Sequence, residues 1–277
     1  ARGAIGAEGR FMADLLRESG ADTSLLREVD GPSGHAVIEI SAAGQNRIIV
    51  FGGANRSMTS EYIERVLDTA QPDDWVLLQN EVNLVPEIIR RAHEKGLRVV
   101  FNPSPVPENT EKLPLACVSL FMVNEIEAAQ LAGTDANADF EDTLTALRAK
   151  YPNASVVMTV GADGVLYDGE EGRFQLPAFK VKAVDTTAAG DTFCGYFLAA
   201  VSAGKSVQTA LQEASAASAL AVSRTGAAPS VPTADEVREF CAGTHKSSET
   251  GQTEFPKGVY RYAHYNRTRR LYFLRSV

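Results

Sequence analysis

Between residues 75 and 176 short apolar runs alternate with helical stretches, and that alternation is the tightest constraint on what this chain can fold into. The runs at 75–79, 97–101, 120–123 and 155–160 read as strands. Helices are expected at 85–95 (stopped by Gly96), 125–132 and 143–150. Strands separated by helices pair in parallel, because the crossover returns the chain to the same end of the sheet. The expectation is an α/β fold with a mostly parallel sheet. Residues 1–9 read as a strand end and a turn, 11–19 as an amphipathic helix, and 207–223 as a later helix. Two hairpins stand out: 35–40 with 46–51 around Ser41-Ala42-Ala43-Gly44-Gln45, and 165–167 with 174–176 around a Gly/acid turn.

The 277 residues suffice for one large α/β domain, and 44% hydrophobic with 22% charged residues is ordinary for a soluble protein. A net charge of −8 argues against nucleic acid as a partner. No apolar run approaches a membrane span and no signal-peptide pattern is seen, so no membrane role is expected. Cys117, Cys194 and Cys241 lack metal spacing and read as reduced thiols of a cytoplasmic protein. Asn-x-Ser/Thr triplets at Asn55, Asn153 and Asn266 are then idle. His35, His93, His245 and His264 are not spaced as zinc ligands. Gly204-Lys205-Ser206 is no phosphate loop, since Ala199 stands where its first glycine belongs and a helix precedes it.

The chemistry concentrates in Val184-Asp185-Thr186-Thr187-Ala188-Ala189-Gly190-Asp191-Thr192-Phe193. A strand-like run, 179–184, enters it, small residues turn it, and an apolar helical run, 193–201, leaves it. A Gly/Ala corner opening a helix presents unpaired amides and the positive end of the dipole, an anion site. Asp191 at that mouth suits a proton acceptor for an attacking hydroxyl, while a plain N-cap is the alternative.

Asp185-Thr186-Thr187-Ala188-Ala189-Gly190-Asp191 resembles the C-terminal signature of the PfkB carbohydrate kinases, with flanks like the ribokinase branch. The resemblance covers about 3–240 and implies a three-layer α/β/α ribokinase-like fold with a partial β lid at about 35–51, which often pairs two subunits as a homodimer. It implies ATP-dependent phosphorylation of a sugar, D-ribose to ribose 5-phosphate first. Asp191 would be general base, and the Ala188, Ala189 and Gly190 amides the anion hole. It implies a monovalent cation, K⁺, at Asp185 with the carbonyls of Thr187, Ala221, Arg224 and Gly226 and with Ser230. Thr159-Val160-Gly161-Ala162-Asp163-Gly164 resembles the ATP loop, with Gly190 beside the nucleotide and Ser215 near its adenine. Asn124-Glu125-Ile126-Glu127 resembles an N-E-x-E motif in which Asn124 reaches nucleotide phosphates and Glu127 orders water on Mg²⁺. By its residues alone that motif reads as a capped, solvated helix start. Glu81 matches a sugar-contacting glutamate. An aspartate and a Gly-Gly turn that hold the sugar in the family have no matching position.

The kinase domain is expected over 1–241. The remainder, 242–277, holds seven Lys/Arg against two Glu and four of the eight tyrosines (Tyr260, Tyr262, Tyr265, Tyr272). It lies outside the resemblance and reads as a disordered or non-native extension. Arg267-Thr268-Arg269-Arg270 leaves an RNA-binding arm as the minor reading. Rival functions are a PfkB kinase for deoxyribose, fructose or a nucleoside, and a silent nucleotide-binding fragment.

Overall fold

The computed structural model describes residues 1–40, 46–107, 109–248 and 271–274, with backbone alone at 38–40, 46–48, 244–248 and 271–274. The turn at 41–45 and the tail stretch 249–270, including Arg267-Thr268-Arg269-Arg270, lie outside the described residues. The chain forms two compact units, 1–156 with 270–277, and 157–269.

In the first unit, β1 (Arg2–Ile5), α1 (Arg10–Glu18) and β2 (Leu25–Glu28) precede the antiparallel hairpin of β3 (His35–Ile40) and β4 (Asn46–Phe51). There follow α2 (Ser60–Leu67), β5 (Trp75–Gln79), α3 (Val85–Glu94), β6 (Arg98–Asn102), β7 (Leu120–Asn124), α4 (Glu125–Ala132) and α5 (Phe140–Lys150). The sheet order is β7-β6-β5-β11-β1-β2, where β11 is Leu271–Leu274. Every adjacent pair in it is parallel. Consecutive residues Trp75, Val76, Leu77 and Leu78 are all buried, as are Val99, Val100 and Phe101. Neighbours along a strand face opposite ways, so both faces of this sheet are covered. In α3 the buried residues are Val85, Ile88, Ile89 and Ala92, one helical stripe. Its end is set by Gly96, whose φ of +73° turns the chain into β6. The next strand, β8 (Ser155–Thr159), starts in this unit, where the Ser155 amide donates to the Ser119 carbonyl (3.0 Å).

The sequence reading left α2 and β2 without assignment, and Tyr62 of α2 ties both into the sheet. Its side chain is buried. The hydroxyl accepts from the Gly3 amide (2.8 Å) and donates to the Leu25 carbonyl (2.7 Å), joining β1 to β2. The Arg27 guanidinium lies 4.2 Å from its ring centroid.

The second unit holds the end of β8, the antiparallel hairpin β9 (Val165–Gly169) and β10 (Gly172–Leu176), then α6 (Ala189–Ser202), α7 (Val207–Val222) and α8 (Ala234–Ser248). Ala216, Ala217 and Val237 form a core cluster against Phe179, Tyr196, Leu220, Phe240 and Cys241. Two expectations are corrected here. Residues 179–184 form no strand. The segment ends on α7 instead, with the Val184 and Asp185 amides donating to the Val222 carbonyl (2.7 and 3.2 Å). The reading also gave no regular structure beyond Phe240. Helix α8 runs to Ser248, and β11 joins the first unit's sheet. Among the described residues no helix is long and apolar enough to cross a membrane.

Tyr62→Phe leaves the buried Gly3 amide and Leu25 carbonyl without their side-chain partner. The expected cost is about 1–3 kcal/mol, read as a lowered denaturant midpoint at unchanged m-value.

Candidate active site

The turn that opens α6 is built by backbone geometry. Ala188 adopts the left-handed conformation (φ +59°) as N-cap and supplies no side-chain cap, so the amide ends of the first turn face outward. Alanine tolerates this conformation at a cost, and such outliers cluster where a ligand is clamped. Gly190 is exposed, and a Cβ built on it meets nothing within 4 Å, so the space above its backbone is open. Of the three amides expected in the anion hole, that of Ala189 already donates to the Thr186 carbonyl at a long 3.3 Å. Asp191 lies half-buried in the first turn of α6. Ser218 of α7 donates its hydroxyl to the Ala189 carbonyl (3.1 Å) and so steadies the first helical residue.

Asp185 holds this turn in shape. One carboxylate oxygen accepts from the Thr187 amide (2.9 Å) and the other from the Gly226 amide (2.9 Å), 41 residues on. The hydrogen bonding of Thr187, followed by the Gly226 amide, holds the Asp185 carboxyl below its ordinary value. The loop carrying Gly226 (φ +91°) is fixed at both sides. The Arg224 amide donates to the Ala221 carbonyl (3.0 Å), and the fully buried Ser230 donates its hydroxyl to the Ala227 carbonyl (2.7 Å). The Arg224 side chain pairs with Glu236 (2.6 Å), whose carboxyl is pulled down to about 2, chiefly by that guanidinium. Thus Asp185, Thr187, Ala221, Arg224, Gly226 and Ser230 share one knot of backbone, and the donors it offers are oxygen. Among the described residues no group of three His, Cys, Asp or Glu side chains could hold a metal.

The glycine-rich loop after β8 is a tight turn. The Val160 amide donates to the Gly164 carbonyl (2.9 Å) and the Asp163 amide to the Val160 carbonyl (3.0 Å). Gly164 (φ +112°) cannot be replaced, because a Cβ there would stand 2.0 Å from the Leu176 carbonyl oxygen. Nothing lies within 4 Å of a Cβ on Gly161, so Thr159–Gly161 leads to an open rim. Ser215 is half-buried on α7, one helical turn before Ser218 and so on the face toward the start of α6.

In the first unit Glu81, Asn124 and Glu127 follow the carboxyl ends of β5 and β7, where open parallel sheets bind ligands. Asn124 and Glu127 form a reciprocal capping box: the Asn124 side-chain oxygen accepts from the Glu127 amide (2.8 Å) and Glu127 from the Asn124 amide (3.0 Å). The capped helix start is therefore present, but its Glu127 is withdrawn from solvent. Glu127 is buried, and burial pushes its carboxyl above the ordinary value against the opposing pull of the Asn124 amide and a Ser104 hydrogen bond. An amide ladder supports the same rim. Gln79 donates to the Asn102 side-chain oxygen (2.8 Å), and Asn102 donates to the Met122 carbonyl (2.6 Å). Glu81 is half-buried beside Asn83, whose side-chain oxygen accepts from the Met58 amide (3.0 Å).

The profile of the pfkB family carbohydrate kinases matches residues 3–234. The chain belongs to that family. A Haemophilus influenzae ribokinase is 31% identical over 237 residues, 84% of this chain and 77% of the relative, and a Bacillus subtilis ribokinase is 32% identical over 235 residues with the same coverage. A Salmonella typhi deoxyribokinase is 28% identical over 230 residues, 81% of this chain and 75% of that one. The structure of Arabidopsis thaliana ribokinase complexed with ribose and ATP matches with TM-score 0.74 at 29% identity, over 86% of this chain and 80% of that one. The fold is accordingly the three-layer α/β/α ribokinase-like one that the resemblance implied.

Sequence reading overlooked several residues that hold the candidate residues in place within each unit: Ser104, Asn102 and Gln79 in the first, and Ser218 and Glu236 in the second. One left a readable signal, since Thr233-Ala234-Asp235-Glu236 is a capping-box pattern, and Glu236 indeed accepts from the Thr233 amide (2.7 Å). The others bond across elements, beyond the reach of local pattern.

Glu127 makes a pH prediction with a definite sign. Its folded carboxyl binds a proton more tightly than the unfolded one, so its contribution to stability is greatest below about 4.5 and is lost as pH rises through the raised folded value. Glu127→Gln keeps an acceptor for the Asn124 amide but carries no charge. Calorimetry from pH 4 to 7 should therefore find wild type losing stability relative to the variant as pH increases.

Proposed function

We propose that the chain is an ATP-dependent ribokinase, converting D-ribose to ribose 5-phosphate. One observation carries the reading: Asp191 sits in the first turn of α6, directly after the left-handed Ala188 and the open space over Gly190. A carboxylate in that position accepts the proton of the sugar's terminal hydroxyl as its oxygen attacks the γ-phosphorus. The bond from that phosphorus to the bridging oxygen breaks, and ADP leaves with its electron pair. The amides of Ala188, Ala189 and Gly190 face the charge on the transferred group, with the long Ala189 bond being the one to yield. Thr159, Val160, Gly161, Ala162, Asp163, Gly164 and Ser215 are assigned to the nucleotide with Asn124 and Gly190, and Glu81 to the sugar. Deoxyribokinase is the nearest rival, since two relatives carry that name.

Two ions belong to this reading. An all-oxygen donor set with a carboxylate already anchored by two amides suits a hard monovalent cation, and we assign Asp185, Thr187, Ala221, Arg224, Gly226 and Ser230 to K⁺. A bound cation there neutralises charge beside the transferred phosphoryl group. Glu127 is assigned to water on Mg²⁺, which retains much of its hydration shell; a divalent charge nearby would offset the burial that now favours the neutral acid. The β3–β4 hairpin is assigned to a homodimer contact, because Val37, Ile49, Val50 and Phe51 are all at least half exposed. The cytoplasm is the proposed compartment, in keeping with Cys117, Cys194 and Cys241 forming no disulfide among the described residues.

ADP release should depend on D-ribose and rise when K⁺ replaces Na⁺; release that is indifferent to every pentose tested removes the ribose assignment. Asp191→Asn should lower kcat by roughly 10²–10⁴ with ATP affinity nearly unchanged. Loss of both together would mean that Asp191 builds the nucleotide site instead.

A further inference from the structure

The peptide joining Ala189 to Gly190 carries a hydrogen bond that its own helix does not supply. Its carbonyl accepts from the Ser218 hydroxyl (3.1 Å), which sits on α7, 29 residues along the chain. A serine within a helix ordinarily turns its hydroxyl back on a carbonyl of the preceding turn. Ser223, at the end of the same helix, does so onto the Leu220 carbonyl (2.6 Å). Ser218 reaches across to α6 instead. Its surroundings on α7 are apolar: Ala214, Ala216, Ala217, Ala219 and Ala221 are buried, and the half-buried Ser218 brings a hydroxyl into that run.

What this bond holds is the other end of the same peptide. The unit is planar and trans, so its carbonyl and its N–H point opposite ways and neither turns without the other. That N–H belongs to Gly190. The Ala189 amide already donates to the Thr186 carbonyl (3.3 Å), whereas no described residue accepts from the Gly190 amide. Gly190 is exposed, with open space over its backbone. A donor on the carbonyl oxygen also draws electron density from the nitrogen, and in hydrogen-bonded chains this strengthens the next bond by roughly 10–30%. We propose that Ser218 is a positioning residue for phosphoryl transfer: through the Ala189–Gly190 peptide its hydroxyl aims and polarises the Gly190 N–H that meets the transferred group. The proposal rests on the anion-hole assignment of residues 188–190 and needs no contact between Ser218 and a ligand. The effect is reciprocal. An anion on the N–H makes the Ala189 carbonyl a better acceptor and tightens the 3.1 Å bond, which is long beside the usual ~2.7–2.8 Å between oxygens.

Ser218→Ala removes the hydroxyl, continues the alanine run and places a better helix former on α7, so folding is kept. One anion-hole donor contributes roughly 10²–10³ in rate. A tenth to a third of that on a logarithmic scale predicts a kcat lowered about 2–8-fold, with both KM values and the thermal midpoint unchanged. Ser218→Thr keeps the hydroxyl and should restore kcat. The peptide itself is read by NMR. Labelling alanine carbonyls with ¹³C and glycine nitrogens with ¹⁵N leaves five coupled pairs, at 43–44, 132–133, 189–190, 203–204 and 242–243. Gly190→Ala identifies the 189–190 pair by its loss. In unliganded Ser218→Ala the Ala189 carbonyl and the Gly190 N–H proton should both move upfield while the other four pairs stay in place. Inorganic phosphate should then shift the Gly190 proton downfield, with affinity at least twofold weaker in the variant. Unchanged shifts overturn the proposal, and so does an unchanged kcat beside altered shifts. A fall in midpoint and kcat that Ser218→Thr does not restore also overturns it, and makes the hydroxyl a packing contact of α6 on α7. Should the wild type phosphorylate no ribose, the ribokinase reading falls and phosphate decides alone. A weaker Gly190 response in the variant upholds the role of Ser218, and an equal response in both proteins removes it. A response absent from both removes the anion hole, and the proposal with it.

Discussion

The carboxylate of Asp185 is the interaction on which the geometry of the second unit's site depends. A residue in the left-handed conformation, a helix with no side-chain cap and a loop of small residues have little intrinsic reason to hold one shape. Asp185 supplies that reason by accepting an amide from each of two segments far apart in sequence, Thr187 just ahead of the turn and Gly226 after α7. Its depressed carboxyl value states the same fact energetically: the charged form is favoured because the folded chain has built donors around it. The Val222 carbonyl receiving the amides of Val184 and Asp185 fixes the approach to the turn from the same helix end. Asp191 and the outward amides thus follow a segment anchored at both sides before any ligand arrives, the preorganisation that phosphoryl transfer needs.

The first unit solves a different problem. Its polar rim stands at the carboxyl ends of strands whose bodies are wholly apolar, so every polar group there must find a partner within a few residues. The Gln79–Asn102–Met122 ladder and the Asn124–Glu127 box do this with side chains that each satisfy backbone or amide groups. Glu127 is the strained member. It is nearly dehydrated and its charged form has only the Asn124 amide and Ser104 to stabilise it, so burial wins. A carboxyl held above its ordinary value in a cleft is a common mark of a group awaiting a counter-charge.

Legibility followed range. The parallel strands and α3 could be read because apolar runs and an i, i+3, i+4, i+7 stripe are local patterns, and the signature 185–191 because its order is specific. Asn124 and Glu127 were visible as a capping box, but the burial that distinguishes them from an ordinary helix start depends on packing. The run 179–184 alternates like a strand, yet with no partner beside it the pattern has nothing to pair with, and α7 takes its amides instead. Tyr62 was illegible for the same reason from the opposite side: its partners, Gly3 and Leu25, lie 59 and 37 residues away.

The tail shows how composition can hide a strand. Averaged over 242–277 the segment is basic and polar, and averages of that kind read as extension. Four apolar residues contribute almost nothing to such an average, although four are enough to cross the buried part of a sheet at roughly 3.3 Å per residue. What makes them a strand is not their own propensity but their neighbours: β1 and β5 flank Leu271–Leu274 in the sheet order, both in parallel. A core strand is therefore specified by the edges that receive it as much as by its own residues, and a reading that takes segments one at a time has no access to that half of the specification.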